Sequence, residues 1–205
     1  MICFLFVSRK RRRDMTRAIH HLIVERRAKR ALSAEPVCAE EIGLLIEAAH
    51  LAPSCFNSQP WRFIVIDDKE KLAAIKETMP KGNYWTAPAP VIIAIASQRD
   101  LDCKLSDERD YFLFGCGMAA GNLMIQATEM GLIAHPIAGY NPTKVKEILK
   151  VPADYVLITL IIVARPGDPV NLSEDHRAIE LGERDRKPLI EVMARNRFIS
   201  ELEKD

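Results

Sequence analysis

The sequence predicts an α+β fold, and three observations lead there. Helix-like and strand-like segments are both present but do not alternate one for one, which disfavours a doubly wound sheet. One long, mostly apolar run, Arg109 to Met130, reads as a single helix. The most strand-like run, Tyr155 to Ala164, comes late and is followed by a polar tail. The chain has 205 residues, 48% hydrophobic and 28% charged, which suits one soluble domain with an ample core.

In order, Ala18 to Arg27 reads as a helix because Ile19, Leu22 and Ile23 recur at helical spacing. Glu40 to Ala52 is a stronger helix, with Ile42, Leu45, Ile46 and Ala49 on one face and Pro53 at its end. Trp61 to Asp67 is aromatic and β-branched, hence a strand. Lys69 to Met79 is a short amphipathic helix, and the proline-rich stretch Pro80 to Pro90 is a loop. Val91 to Ala96 is a short continuous apolar strand, expected to be buried on both faces. The long helix is expected to be buried on nearly all sides and to close at Gly131. Asn141 and Pro142 form the cap and first turn of a helix over Thr143 to Lys150. Asn171 to Asp205 is polar and is expected to lean on another body, a partner subunit being one candidate.

Net charge is +1, so no global field draws the chain to nucleic acid or a membrane. Five cysteines, with no CxxC pair, argue against a disulfide framework or zinc site and for a reducing, cytoplasmic setting. The histidines lack ligand spacing, so no metal centre is expected. Residues 1–14 hold a short apolar stretch and then the basic run Arg9 to Arg13, read as a disordered extension preceding a single domain over 15–205. A nucleic-acid arm is the alternative, and nothing later in the chain continues its charge.

Four constellations could carry chemistry. Arg26, Arg27, Lys29 and Arg30 repel one another unless something negative sits among them, and arginine holds phosphate by paired charge-assisted bonds. Taken alone, this segment reads as a solvated basic end that complements the helix dipole. The loop Ala52 to Trp61 is stiffened by Pro53 and Pro60 and presents Ser54, Asn57 and Gln59 at short intervals, a set suited to a planar heterocycle. Gly115 to Gly121 contains GxG, but helical periodicity runs through it and no strand precedes it, so a dinucleotide fingerprint fails. Close approach of another helix is the reading there. Pro136 to Tyr140 is a small-residue turn whose backbone N–H groups could face a ligand. Cys55 and Cys116 have no histidine nearby in sequence and read as turn or core cysteines.

Taken together, these pieces resemble the nitroreductase family of FMN flavoproteins. The likeness runs from about Ile19 to about Arg197 in one order: Arg26, Arg27 and Arg30; the loop Ala52-Pro53-Ser54 with Asn57-Ser58-Gln59-Pro60-Trp61; Ala87-Pro88-Ala89-Pro90; the small-residue helix from Gly117 to Gly131; the Gly139 turn; and Arg186-Lys187-Pro188-Leu189. The resemblance implies a central sheet flanked by helices and an intertwined homodimer whose C-terminal tail wraps the partner. It implies that Arg26 and Arg30 hold the FMN phosphate, joined by Arg186 and, more weakly, Arg184, with Arg27 and Ala28 in the same segment. Ala28 stands where many relatives carry serine. Pro53, Ser54, Cys55, Asn57 and Gln59 of the partner subunit would line the flavin edge. Asn83 would reach the pyrimidine side, and the backbone around Ala138 and Gly139 would face the N5 edge. The implied activity passes electrons from NADH or NADPH through FMN to a small acceptor such as a nitroaromatic or quinone, with no obligatory acid or base. Other uses of FMN in such proteins (flavin fragmentation, dehalogenation, azoline oxidation) and flavin binding without turnover are the alternatives.

Overall fold

The computed structural model describes residues 19–198. The basic run at residues 9–13 lies outside them. At the centre is a four-stranded antiparallel sheet in the order β1-β2-β4-β3. The strands are β1 (Arg62–Ile66), β2 (Val91–Ser97), β3 (Ile133–Ile137) and β4 (Val156–Ala164).

Side chains on a strand alternate between faces, and β2 is buried along its whole length. Ile92, Ala94 and Ala96 join Leu160, Ile162 and Ala164 in one core layer. Val91, Ile93 and Ile95 join Ile161 and Val163 in the other. Pairing of Ile93 with both Val65 and Ile161 holds the register across three strands. A bulge between Ile95 and Ala96 shifts that register at the end of β2.

The first layer is covered by α3 (Lys69–Glu77) and α5 (Pro142–Leu149), through Leu72, Ile75 and Val145. The second is covered by α2 (Ala39–His50) and α4 (Phe112–Glu129), through Leu45, Ala49, Ala119, Leu123 and Ala127. Fully burying each large aliphatic side chain contributes roughly 1.5–3 kcal/mol. The short α1 (His21–Glu25) buries none of its residues. In the tail, α6 (Glu174–Leu181) and α7 (Leu189–Val192) lie mostly exposed.

Caps are where the sequence placed them. Asn141 accepts a bond from the Lys144 amide, with Pro142 in the first turn of α5. Gly131 adopts φ +69° just beyond α4, a conformation that glycine reaches without Cβ strain.

Four features differ from expectation. Strand β3 was unread because it is short and carries Pro136, and proline is tolerated only because β3 is an edge strand. Helix α6 was unread within a polar tail; Ser173 caps it, and Glu174 and Asp175 sit in its first turn. Helix α2 ends at His50, ahead of Pro53. Helix α4 is buried on one face only: Leu113 and Phe114 are exposed, and a Cβ added at Gly117 or Gly121 would meet nothing within 4 Å.

The segment that carries the arginines is clamped to the end of β4. Ser33 donates to the Arg165 carbonyl at 2.9 Å, and Gly167 donates to the Ala31 carbonyl at 2.8 Å. A Cβ at Gly167 would strike the Leu32 carbonyl carbon and oxygen. Gly167→Ala is therefore expected to destabilise the chain by about 2 kcal/mol or more, read from the urea midpoint at unchanged slope.

Candidate functional site

Beyond α1 the chain runs along α6, and the two enclose an open cleft of about 580 Å3. This size falls within the range of small-molecule sites. Arg26, Arg27, Ala28, Arg30, Arg184 and Arg186 all line it. Three of these guanidiniums are occupied, Arg186 by the carbonyl of its neighbour Asp185 at 2.6 Å. Arg27 donates to the Gly182 and Ile179 carbonyls at 2.9 and 3.2 Å, closing the end of α6. Arg184 donates to the carbonyls of Ile23, Val24 and Arg26, closing the end of α1. Such bonds satisfy carbonyls that a helix end leaves unpaired.

Arg26 is different. Among the described residues it forms no ion pair, although Glu183 and Asp185 also line the cleft. Burial, together with the charges of Arg184, Arg186 and Arg27, holds its pKa below the ordinary guanidinium value. A bound anion would offset these costs by favouring the charged guanidinium.

Behind the cleft lies a stacked set of side chains. The Arg30 guanidinium sits 5.8 Å from the centre of the Trp85 ring. Trp85 in turn stacks on His135 at 4.5 Å. His135 Nδ1 lies 2.9 Å from the Lys29 carbonyl, so that nitrogen carries the proton and donates. The buried Glu180 accepts the Arg30 amide at 2.7 Å. The backbone of the arginine segment is thus fixed from two sides.

The loop from Pro53 to Pro60 is braced from within. Ser54 Oγ accepts the Gln59 amide at 2.9 Å, and Gln59 Nε2 donates to the Asn57 carbonyl at 2.9 Å. Ser97 on β2 donates to the Pro60 carbonyl at 2.8 Å. Gly115 of α4 admits the loop: an added Cβ would touch Pro60 at 3.5 Å and Ser54 at 3.9 Å. Phe56, Asn57 and Gln59 all have positive φ, at 46°, 58° and 51°. Asparagine tolerates this region, whereas strained residues of other types cost on the order of 1–3 kcal/mol each. Phe56 is 96% exposed, so packing within the chain does not account for its conformation.

A third group forms where Asn83 Nδ2 donates to the Gly139 carbonyl at 2.7 Å. A Cβ at Gly139 would lie 2.9 Å from that nitrogen, so glycine permits the contact.

The Nitroreductase family model matches residues 23–82 and 76–165, most of the chain. The chain belongs to the nitroreductase family. Among curated relatives, FMN reductase [NAD(P)H] of Bacillus subtilis is 28% identical over 162 residues, covering 71% of this chain and 65% of its own length. Oxygen-insensitive NADPH nitroreductase of Helicobacter pylori is 29% identical over 143 residues, covering 54% of this chain and 68% of its own. A crystal structure described as an oxidoreductase containing FMN superposes with a TM-score of 0.79 at 27% identity, covering 90% of this chain and 94% of that one. A nitroreductase family protein from Clostridium difficile 630 superposes at 0.71 and 23% identity, covering 86% and 97%, a likeness of fold.

Within this nitroreductase-family fold, the six predicted phosphate-side residues line one cleft. Pro53, Ser54, Cys55, Asn57 and Gln59 do not line it, nor do Asn83, Ala138 and Gly139; the last group gathers where Asn83 meets Gly139. The cysteine reading is corrected: Cys55 is bonded to Cys103, across 48 residues of sequence. The absence of a CxxC spacing gave no sign of a partner that only the fold brings close. Glu180, Trp85 and His135 were also missed. They touch the arginine segment from the tail, a loop and an unread strand, and no local motif links them.

Burial pushes the His135 pKa down to about 4 from 6.5. The folded chain therefore binds this proton less readily than the unfolded chain does. The stability contribution is complete above pH 6.5 and is lost as pH falls from 6.5 towards 4. We expect a loss of up to roughly 3 kcal/mol across that window from this group. In His135→Phe, this component of the slope should vanish in urea titrations at pH 7 and pH 4.5.

Proposed function

We propose that the chain is an FMN-dependent oxidoreductase that draws electrons from NAD(P)H and delivers them to a small acceptor such as a nitroaromatic or a quinone. One observation carries this reading: Arg26 is desolvated among other guanidiniums and has no ion-pair partner among the described residues. Such a cluster is complete only with an anion, and a flavin mononucleotide phosphate supplies one.

The donor set fits that group with a division of labour. Arg27 and Arg184 are committed to carbonyls at helix ends. Arg26 and Arg30 are therefore the residues that hold the phosphate, joined by Arg186, which gives one nitrogen to the Asp185 carbonyl. Trp85 and Glu180 position Arg30, and Lys29 is tied back through His135. When bound, FMN supplies the two-electron redox chemistry. The protein's part is to bind it, orient it and surround it with positive charge.

The loop at Pro53–Gln59 does not line the cleft of its own chain, which supports its service to a second subunit. We therefore include a homodimer in the proposal. The open face of α4, with Leu113 and Phe114 exposed, and the exposed Leu189, Ile190 and Val192 of the tail offer the apolar surface such a pair needs. Ser54 and Asn57 would then meet the flavin across the interface, and Asn83 with Gly139 would complete its surround. Among the described residues no helix is long and apolar enough to cross a membrane. A cytoplasmic setting is part of the same proposal, supported by the need for a reduced nicotinamide pool.

The test is the spectrum and flavin content of purified protein, with NAD(P)H consumption in the presence of a quinone. Wild type is expected to be yellow and to release FMN. Arg26→Ala with Arg30→Ala should fold yet bind FMN at least about a hundredfold more weakly, since each charge-assisted bond contributes roughly 1.5–3 kcal/mol. Full flavin content in that variant would sink the assignment. Leu113→Glu with Phe114→Glu should sediment as a monomer with depleted flavin, and a stable dimer there would refute this interface.

A further inference from the structure

The pair Cys55 and Cys103 stands apart from everything assigned so far. Cys55 lies inside the loop proposed to meet the flavin, next to Phe56 and Asn57 with their positive φ. Cys103 lies in the segment after β2, just beyond a short helical turn at Arg99–Leu101. Both cysteines are half-buried, so a small reductant has a path to the bond.

A carboxylate sits at the same place. Asp102 is 9% exposed. Its Oδ1 accepts the Cys103 amide at 2.8 Å, while its Oδ2 is buried with no hydrogen-bond partner among the described residues. One Asp102 carboxylate oxygen and the sulfurs of Cys55 and Cys103 lie within 4.8 Å of one another. A buried carboxylate normally finds a partner. One left open beside a disulfide is placed to take a proton once a thiol is present there.

We propose that Cys55–Cys103 is a redox-active disulfide that fixes the loop Pro53–Pro60 and so sets its grip on the flavin, with Asp102 as the proton acceptor when the bond forms. The gripping half rests on the FMN reading above. In the reducing direction an external dithiol attacks one sulfur, the S–S bond breaks, and a mixed disulfide forms. The second reductant thiol displaces the remaining sulfur. The reductant leaves as its own disulfide, and its two protons end on Cys55 and Cys103. In the reverse direction a disulfide oxidant takes the two electrons and leaves as two thiols: Asp102 receives the proton of the attacking thiol and passes it to the first departing oxidant sulfur, and the second cysteine, displacing the other oxidant sulfur, gives its proton to that one. Cys116 does not compete, because burial pushes its thiol pKa up to about 11 and keeps it protonated.

The loop gives the bond mechanical meaning. Strained conformations persist only where surrounding structure holds them, and the crosslink ties this loop to a segment outside it. A preformed loop binds without the cost of ordering. In a reducing cell the pair would rest as thiols and close under oxidation.

The experiment uses the purified full chain with its flavin. Peptide-resolved alkylation is run before and after dithiothreitol, then after glutathione disulfide. Cys55 and Cys103 should become labelled together on reduction and protected together on reoxidation. Resistance to native reduction, or co-purified zinc holding these thiols, would overturn the proposal. Hydrogen exchange at residues 54–60 should speed up on reduction, and unchanged exchange would overturn it too. FMN affinity should fall about fivefold on reduction, whereas Cys103→Ser should have the same affinity with and without dithiothreitol. Equal affinity in both wild-type redox states counts against the proposal. If no FMN binds in either state, the FMN reading fails, and labelling and exchange still decide the fate of the disulfide. Asp102→Asn should slow reoxidation and flatten its pH dependence, and wild-type reoxidation rates there would remove Asp102 from the scheme.

Discussion

Two-sided burial of the central strands is the constraint on which the rest depends. With β2 and β4 buried on both faces, the chain must supply helices to each face of the sheet. It does so with α3 and α5 on one side and α2 and α4 on the other. On the outward face of α4, Leu113 and Phe114 stay exposed. The arginine segment also takes its place from the sheet, since Ala31 and Ser33 tie it to Gly167 and Arg165, just beyond β4. A change in sheet register would therefore move the cleft as well as the core.

The cleft shows how one residue type can perform two jobs at close quarters. Arginines that reach a helix end give their donors to carbonyls and become part of the scaffold. An arginine that reaches no carbonyl, such as Arg26, keeps its charge available in a partly buried place. The scaffold arginines raise the cost of that free charge, and so increase what an anion gains by arriving. Structural and ligand-binding cations are consequently coupled through electrostatics, in addition to the bond that Arg184 makes to the Arg26 carbonyl.

Much of the fold was legible because its signals are local. The helical spacing of Ile42, Leu45 and Ala49, the unbroken run in β2 and the cap at Asn141 each need only a few neighbouring residues to be recognised. The arginine cleft was legible for a different reason: its members match a known family order, though their assembly needs α6, which the sequence hid under polar residues capped by Ser173. What stayed invisible were relations between distant segments. Pro136 hid β3 until its place at the sheet edge was known. His135, Trp85 and Glu180 carry no shared spacing, and Cys55 meets Cys103 only through the fold. The long helix was misjudged in one respect, because an apolar run says how much surface needs cover and not which molecule provides it.

The chain contains two tryptophans, and the sheet separates them. Trp61 belongs to the layer under α2 and α4, where its indole N–H meets His50. Trp85 belongs to the opposite layer, between Arg30 and His135. Each is therefore a built-in optical reporter of one side of the molecule. Emission from Trp85 reads the stack behind Arg30, and emission from Trp61 reads the end of β1 where the strained loop enters. With one indole replaced at a time, the same fluorometer can follow either layer alone, and can show whether the two halves of the core loosen together or in turn.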